Sequence, residues 1–371
     1  MTLEAAKTDE VVPARTAAPA RLPSLTGTRF LAAFMVLGFH VSISGLFAPG
    51  LAQDTLTAIF AQGASGVSFF FILSGFVLTW SARPGDRPAR FWRRRWAKIY
   101  PSHVVAWVLA LGGMVAAGKA IAADQGLATL FLVQAWWPTE RVYFAVNTPS
   151  WSLSAEAFFY LTFPLIFALL RRVRPGALWF YAAAAAAAVV LMPVVALALP
   201  EHLRYWFVFV FPVTRWFEFA LGIAMARILR ENRWAGPGPR VAAVLVVAAY
   251  IASKFVPDQF QPAAATVIPF ALLITALAAR DVTGAPSFWR RPIMVYLGEI
   301  SFAMYLLHQI VLRYIQKFLH ANDWPTLKAA AVALAIVAIS IAASAVMYRV
   351  VEKPLTKRLG SPRRKPQHSA A

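Results

Sequence analysis

The chain has 371 residues, 60% of them apolar and 14% charged, with a mean hydropathy of +0.61 and a net charge of +20. That composition excludes a soluble domain of this size and defines an integral membrane protein. The charge does not make it a nucleic-acid binder, because the cations fall in short segments between apolar runs. With no cysteine there is no disulfide framework, thiolate metal site or cysteine nucleophile.

Taken in chain order, residues 1–22, rich in Ala, Thr and Pro, lack the basic start and apolar centre of a cleaved signal and read as a disordered cytoplasmic tail. Ten apolar runs long enough to span a bilayer follow, at about 27–46, 62–80, 99–118, 148–170, 177–199, 205–229, 241–257, 262–280, 292–318 and 326–351. Segments on one side of these runs hold 25 Lys and Arg, whereas the other side holds only Lys119, Arg141 and Arg204. The positive-inside rule therefore puts both termini in the cytoplasm, in keeping with an even number of spans. The expected fold is an all-α polytopic membrane helix bundle of about ten transmembrane helices. Its membrane domain covers 23–356, and 357–371 form a basic cytoplasmic tail.

The first run, TGTRFLAAFMVLGFHVSISG, carries Arg29 and His40 eleven residues apart. Eleven residues make about three turns and a rise of roughly 16 Å, so both side chains point the same way. Ionisable groups inside a bilayer are kept mainly for function or for buried pairing. The second run, SFFFILSGFVLTW, brings Ser74 and Gly75 to one helix face, the pattern of close helix packing. Beyond it, FWRRRWAKIYP concentrates Arg93, Arg94, Arg95 and Lys98 at a helix end. Positive-inside anchoring alone explains such a cluster, and a phosphate-bearing ligand held by guanidinium forks explains it equally.

The longest outside connection, 119–147, contains LATLFLVQAWWP, too short to span, and reads as an interfacial segment or lid. In the fourth run, NTPSWSLSAEAFFYLTFP sets Ser152, Glu156 and Tyr160 four residues apart on one polar face, with Trp151 beside them. Arg215 and Glu218 in the sixth run read as a buried structural pair. The ninth run, GEISFAMYLLHQIV, puts Ser301, Tyr305 and His308 on one face. Three helices thus offer polar faces at comparable depth. An imidazole titrates near neutral pH, which suits His40 to act as a general base on a hydroxyl, with Glu156 orienting it or sharing its proton. His308 read by itself is equally a hydrogen-bonded packing residue.

The ordered set LTGTRFLAAFMVLGFH, FFFILSGF, RWAKIYP, SWSLSAEAFFY, ISFAMYLLH and YRVVEKP resembles the acyltransferase 3 family of integral membrane O-acyltransferases, from about residue 22 to 356. The resemblance implies transfer of an acyl group from acyl-CoA, acetyl-CoA foremost, to a hydroxyl of a sugar or glycosylated natural product, such as a macrolide antibiotic, or of an envelope glycan. It makes Arg29 and His40 the matched functional pair. The family's Arg-x-x-Arg motif is here Arg95-Trp-Ala-Lys98, which keeps the charge but loses one bidentate fork.

The two readings converge on His40, Arg29 and Glu156 as catalytic residues and on Arg93, Arg94, Arg95 and Lys98 as the acyl-CoA site. Trp151, Ser152, Tyr160, Ser301, Tyr305 and His308 are expected to line the acceptor side, with Trp151 as a stacking surface. No metal, no permanently bound cofactor and no nucleic-acid partner are expected. High Ala, Arg and Pro usage suits a high-GC bacterium and hence its cytoplasmic membrane. The rival reading is a proton-coupled transporter or flippase, since intramembrane His, Glu and Arg are also the parts of a proton relay.

Overall fold

The computed structural model describes residues 21–82 and 85–360. The tails expected at 1–22 and 357–371 lie outside the described residues, apart from 21–22 and from 357–360, which close a short helix, Lys353–Gly360.

A principal helix stands where each of the ten runs predicts one. These are α1 (Pro23–Ser42), α2 (Gly66–Ser81), α3 (Pro88–Ala116), α4 (Trp151–Leu170), α5 (Leu178–Ala196), α6 (Pro212–Arg230), α7 (Pro239–Ala252), α8 (Val267–Val282), α9 (Pro292–Leu319) and α10 (Thr326–Met347). No strand forms among the described residues, and their one β-bridge joins Phe47 to Trp324. Eight helical stretches are long and apolar enough to cross a membrane. The predicted spans at 241–257 and 262–280 are not among them: α7 has 14 residues and α8 has 16. At 1.5 Å per residue they reach only about 21 and 24 Å. Pro257 and Pro262 lie in the connection, where the chain breaks into short 3₁₀ turns, Ser253–Phe255 and Asp258–Phe260, instead of extending either helix.

Small residues decide which helices touch. A Cβ on Gly75 would fall 2.0 Å from the Phe219 carbonyl oxygen, and one on Gly222 would fall 2.0 Å from that of Ile72. Backbone-to-backbone approach of α2 and α6 therefore requires glycine on both sides, as expected where lipid supplies no hydrophobic drive between helices. Gly298 of α9 meets the Thr26 carbonyl of α1 in the same way. The core between α2, α4 and α6 is aromatic, with Phe159 stacked on Phe219 at 5.0 Å and edge-on to Phe71. Apolar side chains such as Leu161, Leu165 and Phe180 stand exposed on the outer surface, where lipid tails would cover them.

The buried Arg215–Glu218 pair forms at 3.0 Å, with a guanidinium nitrogen also donating to Ser68 Oγ at 2.9 Å. Phe71 and Phe209 lie within 5.2 and 5.6 Å of the same guanidinium. The connection 117–147 is pinned to the bundle: His103 Nε2 meets the Thr129 carbonyl at 3.0 Å, and Trp206 Nε1 donates to the Ala135 carbonyl at 2.9 Å. It forms an anchored cap made of the short helices Ala123–Leu130 and Glu140–Tyr143.

Candidate active site

Five helices converge on an inner cavity of about 120 Å³. Into it α1 sends Arg29, α2 Ser74, α3 Arg95 and Lys98, α4 Ser152, Glu156 and Tyr160, and α9 Phe302 and Tyr305. The polar face of α4 arises from its spacing, since residues four apart stack on one side of a helix. Glu156 is held there from two sides: Tyr160 donates its hydroxyl to Glu156 Oε1, and Ser74 Oγ donates to the same oxygen at 3.1 Å. Tyr160 is fixed in turn through its carbonyl, which accepts from Trp92 Nε1 of α3 at 3.0 Å. Ser152 Oγ and the Tyr305 hydroxyl lie 2.8 Å apart, and both reach the Pro149 carbonyl. The carboxylate and hydroxyls are thus mutually engaged. The cations are not, since Arg95 Nε is buried without a hydrogen-bond partner, and no ion pair of Arg29 or Lys98 occurs among the described residues. Three cations and one carboxylate line the chamber, and the buried Glu352 carboxylate lies close enough for its charge to act on Lys98 and Arg29.

His40 lies outside this lining. It pairs with His308 across the α1–α9 interface, His308 Nε2 to His40 Nδ1 at 3.1 Å, with ring centroids 4.9 Å apart. The neighbouring carbonyls assign the tautomers. His40 Nδ1 is 2.9 Å from the Val36 carbonyl and His308 Nδ1 is 3.2 Å from that of Met304. A carbonyl only accepts, so the hydrogen of each neutral ring sits on Nδ1. His308 Nε2 is then an acceptor facing the Nδ1–H of His40, and His40 Nε2 is left with an unshared lone pair. His308 is 1% exposed and stands 5.9 Å from the Tyr305 ring, so the imidazole pair adjoins the inner cavity at its Tyr305 wall.

The predicted site residues therefore divide. Arg29, Glu156, Arg95, Lys98, Ser152, Tyr160 and Tyr305 share one chamber, so residues expected on opposite donor and acceptor sides face each other. His40 and His308 form their own pair beside it. Trp151 does not line the cavity: it is 3% exposed and packs on Phe71 and Phe209. Ser301 is fully buried, with its hydroxyl turned back to the Gly298 carbonyl at 2.8 Å. Arg94 pairs with Asp86, and Arg93 is exposed away from the chamber. Ser74, read as packing, supplies a hydroxyl to Glu156 while Gly75 does the packing. Its one-residue offset from Gly75, which turns it toward another neighbour, was the signal.

A bundle of long apolar helices that buries a paired imidazole beside a cationic chamber defines a membrane enzyme-like site. The chain belongs to the acyltransferase 3 family, whose model, described as an acyltransferase domain, matches residues 22–349. It is 43% identical to the acyltransferase MdmB of Streptomyces mycarofaciens, over 94% of this chain and 95% of that protein. It is 23% identical to the peptidoglycan O-acetyltransferase OatA of Listeria monocytogenes and 21% identical to a putative O-acetyltransferase of Staphylococcus aureus, covering 91% of this chain in both alignments. It spans only 56% and 57% of the length of those two proteins. No solved structure matches the chain. Family and relatives together make it a membrane O-acyltransferase.

Proposed function

We propose that the chain transfers a short acyl group from acyl-CoA to a hydroxyl of a sugar, of a glycosylated natural product such as a macrolide, or of an envelope glycan, with His40 as general base. What carries this reading is the His40–His308 pair, whose assigned tautomers leave His40 Nε2 with a lone pair, beside a chamber lined by three cations. With the basic ends of the helices in the cytoplasm of a bacterial cell, Arg95, Lys98 and Arg29 receive the phosphates of the donor, and the pantetheine arm runs inward toward Tyr305.

In the chemical step the acceptor hydroxyl attacks the thioester carbonyl while His40 Nε2 takes its proton. The tetrahedral intermediate collapses, breaking the carbon–sulfur bond. The proton on His40 then passes to the departing thiolate, leaving an ester and free CoA. The imidazolium formed in between is stabilised through Nδ1–H, which the Val36 carbonyl and His308 Nε2 share, and this makes His308 a positioning residue in the manner of the third member of a catalytic triad. The test is release of CoA thiol by purified protein given acetyl-CoA and a panel of glycosides and glycosylated macrolides. Release that requires both an acceptor and His40 is expected. No thioester consumption with any acceptor, in protein shown to be folded, would overturn the reading.

A further inference from the structure

A second, larger cavity of about 560 Å³ opens at the opposite end of α9. It lies within the size range of small-molecule sites, roughly 300–1,000 Å³. α9 threads both chambers: Tyr305 lines the inner one, His308 follows against His40, and Gln309 and Arg313 line the outer one. Tyr305 and Gln309 are four residues apart, a rise of about 6 Å. Arg313 lies close enough for its charge to act on the His40 ring.

Two unsatisfied acceptors lie buried in the wall of the outer cavity. Asn147 is 2% exposed, and its Nδ2 donates to the Leu306 carbonyl at 3.0 Å. That bond fixes the amide orientation and leaves Oδ1, buried, with no hydrogen-bond partner. Gln309 Oε1 is buried and unpartnered as well. Neither oxygen is exposed to the cavity as the side chains stand, so a ligand hydroxyl satisfies them only by parting the wall to reach them. The preceding residue, Val146, is held at a φ of 57°, a conformation costly for a β-branched side chain, and the chain thereby turns Asn147 inward. One wall is the Tyr314 ring, lying so tightly on α3 that a Cβ on Gly113 would come within 2.0 Å of it. The cations of this cavity, Lys119, Arg313 and Lys317, are exposed at its rim, and Arg313 donates to Thr148 Oγ1 at 2.8 Å.

We propose that this outer cavity binds the acceptor as a neutral glycoside, whose hydroxyls donate to Asn147 Oδ1 and Gln309 Oε1 and whose ring lies on Tyr314. The acceptor then approaches the His40–His308 pair from the side opposite the acyl donor. An aromatic face for the apolar side of a sugar and amide oxygens for its hydroxyls are the complementary halves of such a ligand. This inference rests on the acyltransferase reading above, so its test has one readout that needs no turnover.

The chain has no cysteine, so Met114→Cys on the cavity wall becomes a unique label site in the full-length protein. Its modification by a maleimide is followed with and without methyl glucoside, a glycosylated macrolide or a glucuronide. Protection by a neutral glycoside is expected. Protection by the glucuronide alone, or by no probe, would overturn the proposal. Separately, Asn147→Leu and Gln309→Leu are each expected to raise the acceptor KM about tenfold while the acyl-CoA KM stays within about twofold. Normal acceptor KM in both variants, with transfer still dependent on His40, would remove this cavity and leave the acyltransferase standing. Protection without any thioester consumption would leave the cavity and remove the reaction.

Discussion

The two chambers along α9 differ in the hydrogen-bonding groups they leave open. In the inner one the carboxylate and hydroxyls satisfy each other, Glu156 with Tyr160 and Ser74, Ser152 with Tyr305, and the cations Arg29, Arg95 and Lys98 remain as open donors. In the outer one the wall buries two unpartnered acceptors, Asn147 Oδ1 and Gln309 Oε1, while the cations stand exposed at the rim. A site with spare donors selects anions, and a site with spare acceptors selects hydroxyls. In the proposed reaction the imidazole pair offers the one basic nitrogen that joining an anionic donor to a hydroxylic acceptor requires.

Several substitutions would break or sharpen this contrast. The largest effect is expected from His40→Ala, which removes the proposed general base: transfer should fall by about 10²–10⁴-fold, the usual range for such a loss. Thiol release, measured on protein that still elutes as a monodisperse species in detergent, checks it, and a fully active variant would sink the assignment. Glu218→Ala, outside the lining of both chambers, tests the scaffold instead. It strands a buried guanidinium, at a cost of about 3–5 kcal/mol, so the thermal unfolding midpoint should drop sharply. An unchanged midpoint would show that this pair does not hold α6 against α2.

His308→Leu removes one of the two acceptors of His40 Nδ1–H and leaves the Val36 carbonyl. A loss of about 10–100-fold in kcat is expected, by analogy with outer partners that orient a ligating imidazole, with both KM values little changed. His308→Gln, whose amide oxygen can accept the same hydrogen, should recover much of it; equal damage in the two variants would make His308 a packing residue. The smallest effect is expected at Lys98→Ala, where losing one charge-assisted hydrogen bond of about 1.5 kcal/mol raises the acyl-CoA KM roughly tenfold. The acceptor KM should not move, and a shift in both would mean that the two chambers are not separate.

Much of this architecture is legible in the sequence, because the bilayer imposes a length on apolar runs and leaves little choice but helix. Ten runs gave ten helices, and the two that fall short, α7 and α8, do so around Pro257 and Pro262, where hydropathy counts apolar residues but ignores the missing backbone donors. Helical period likewise put Ser152, Glu156 and Tyr160 on one face and Ser301, Tyr305 and His308 on another.

What the period cannot say is which neighbour a face meets. Trp151 and Ser301 lie beside residues of the chamber, yet one is absorbed by aromatic packing and the other by its own helix backbone. Only the tertiary structure set His308 against His40, and a single pairing at 3.1 Å turned two ambiguous histidines into a defined tautomer chain. Only it showed that Asn147, an unremarkable loop residue, ends with a buried oxygen that no described residue satisfies. The class of protein, its helices and their polar faces follow from local chemistry, since burial in lipid constrains each segment by itself. The division into two chambers with opposite hydrogen-bonding character does not, because it depends on contacts between helices far apart in the chain.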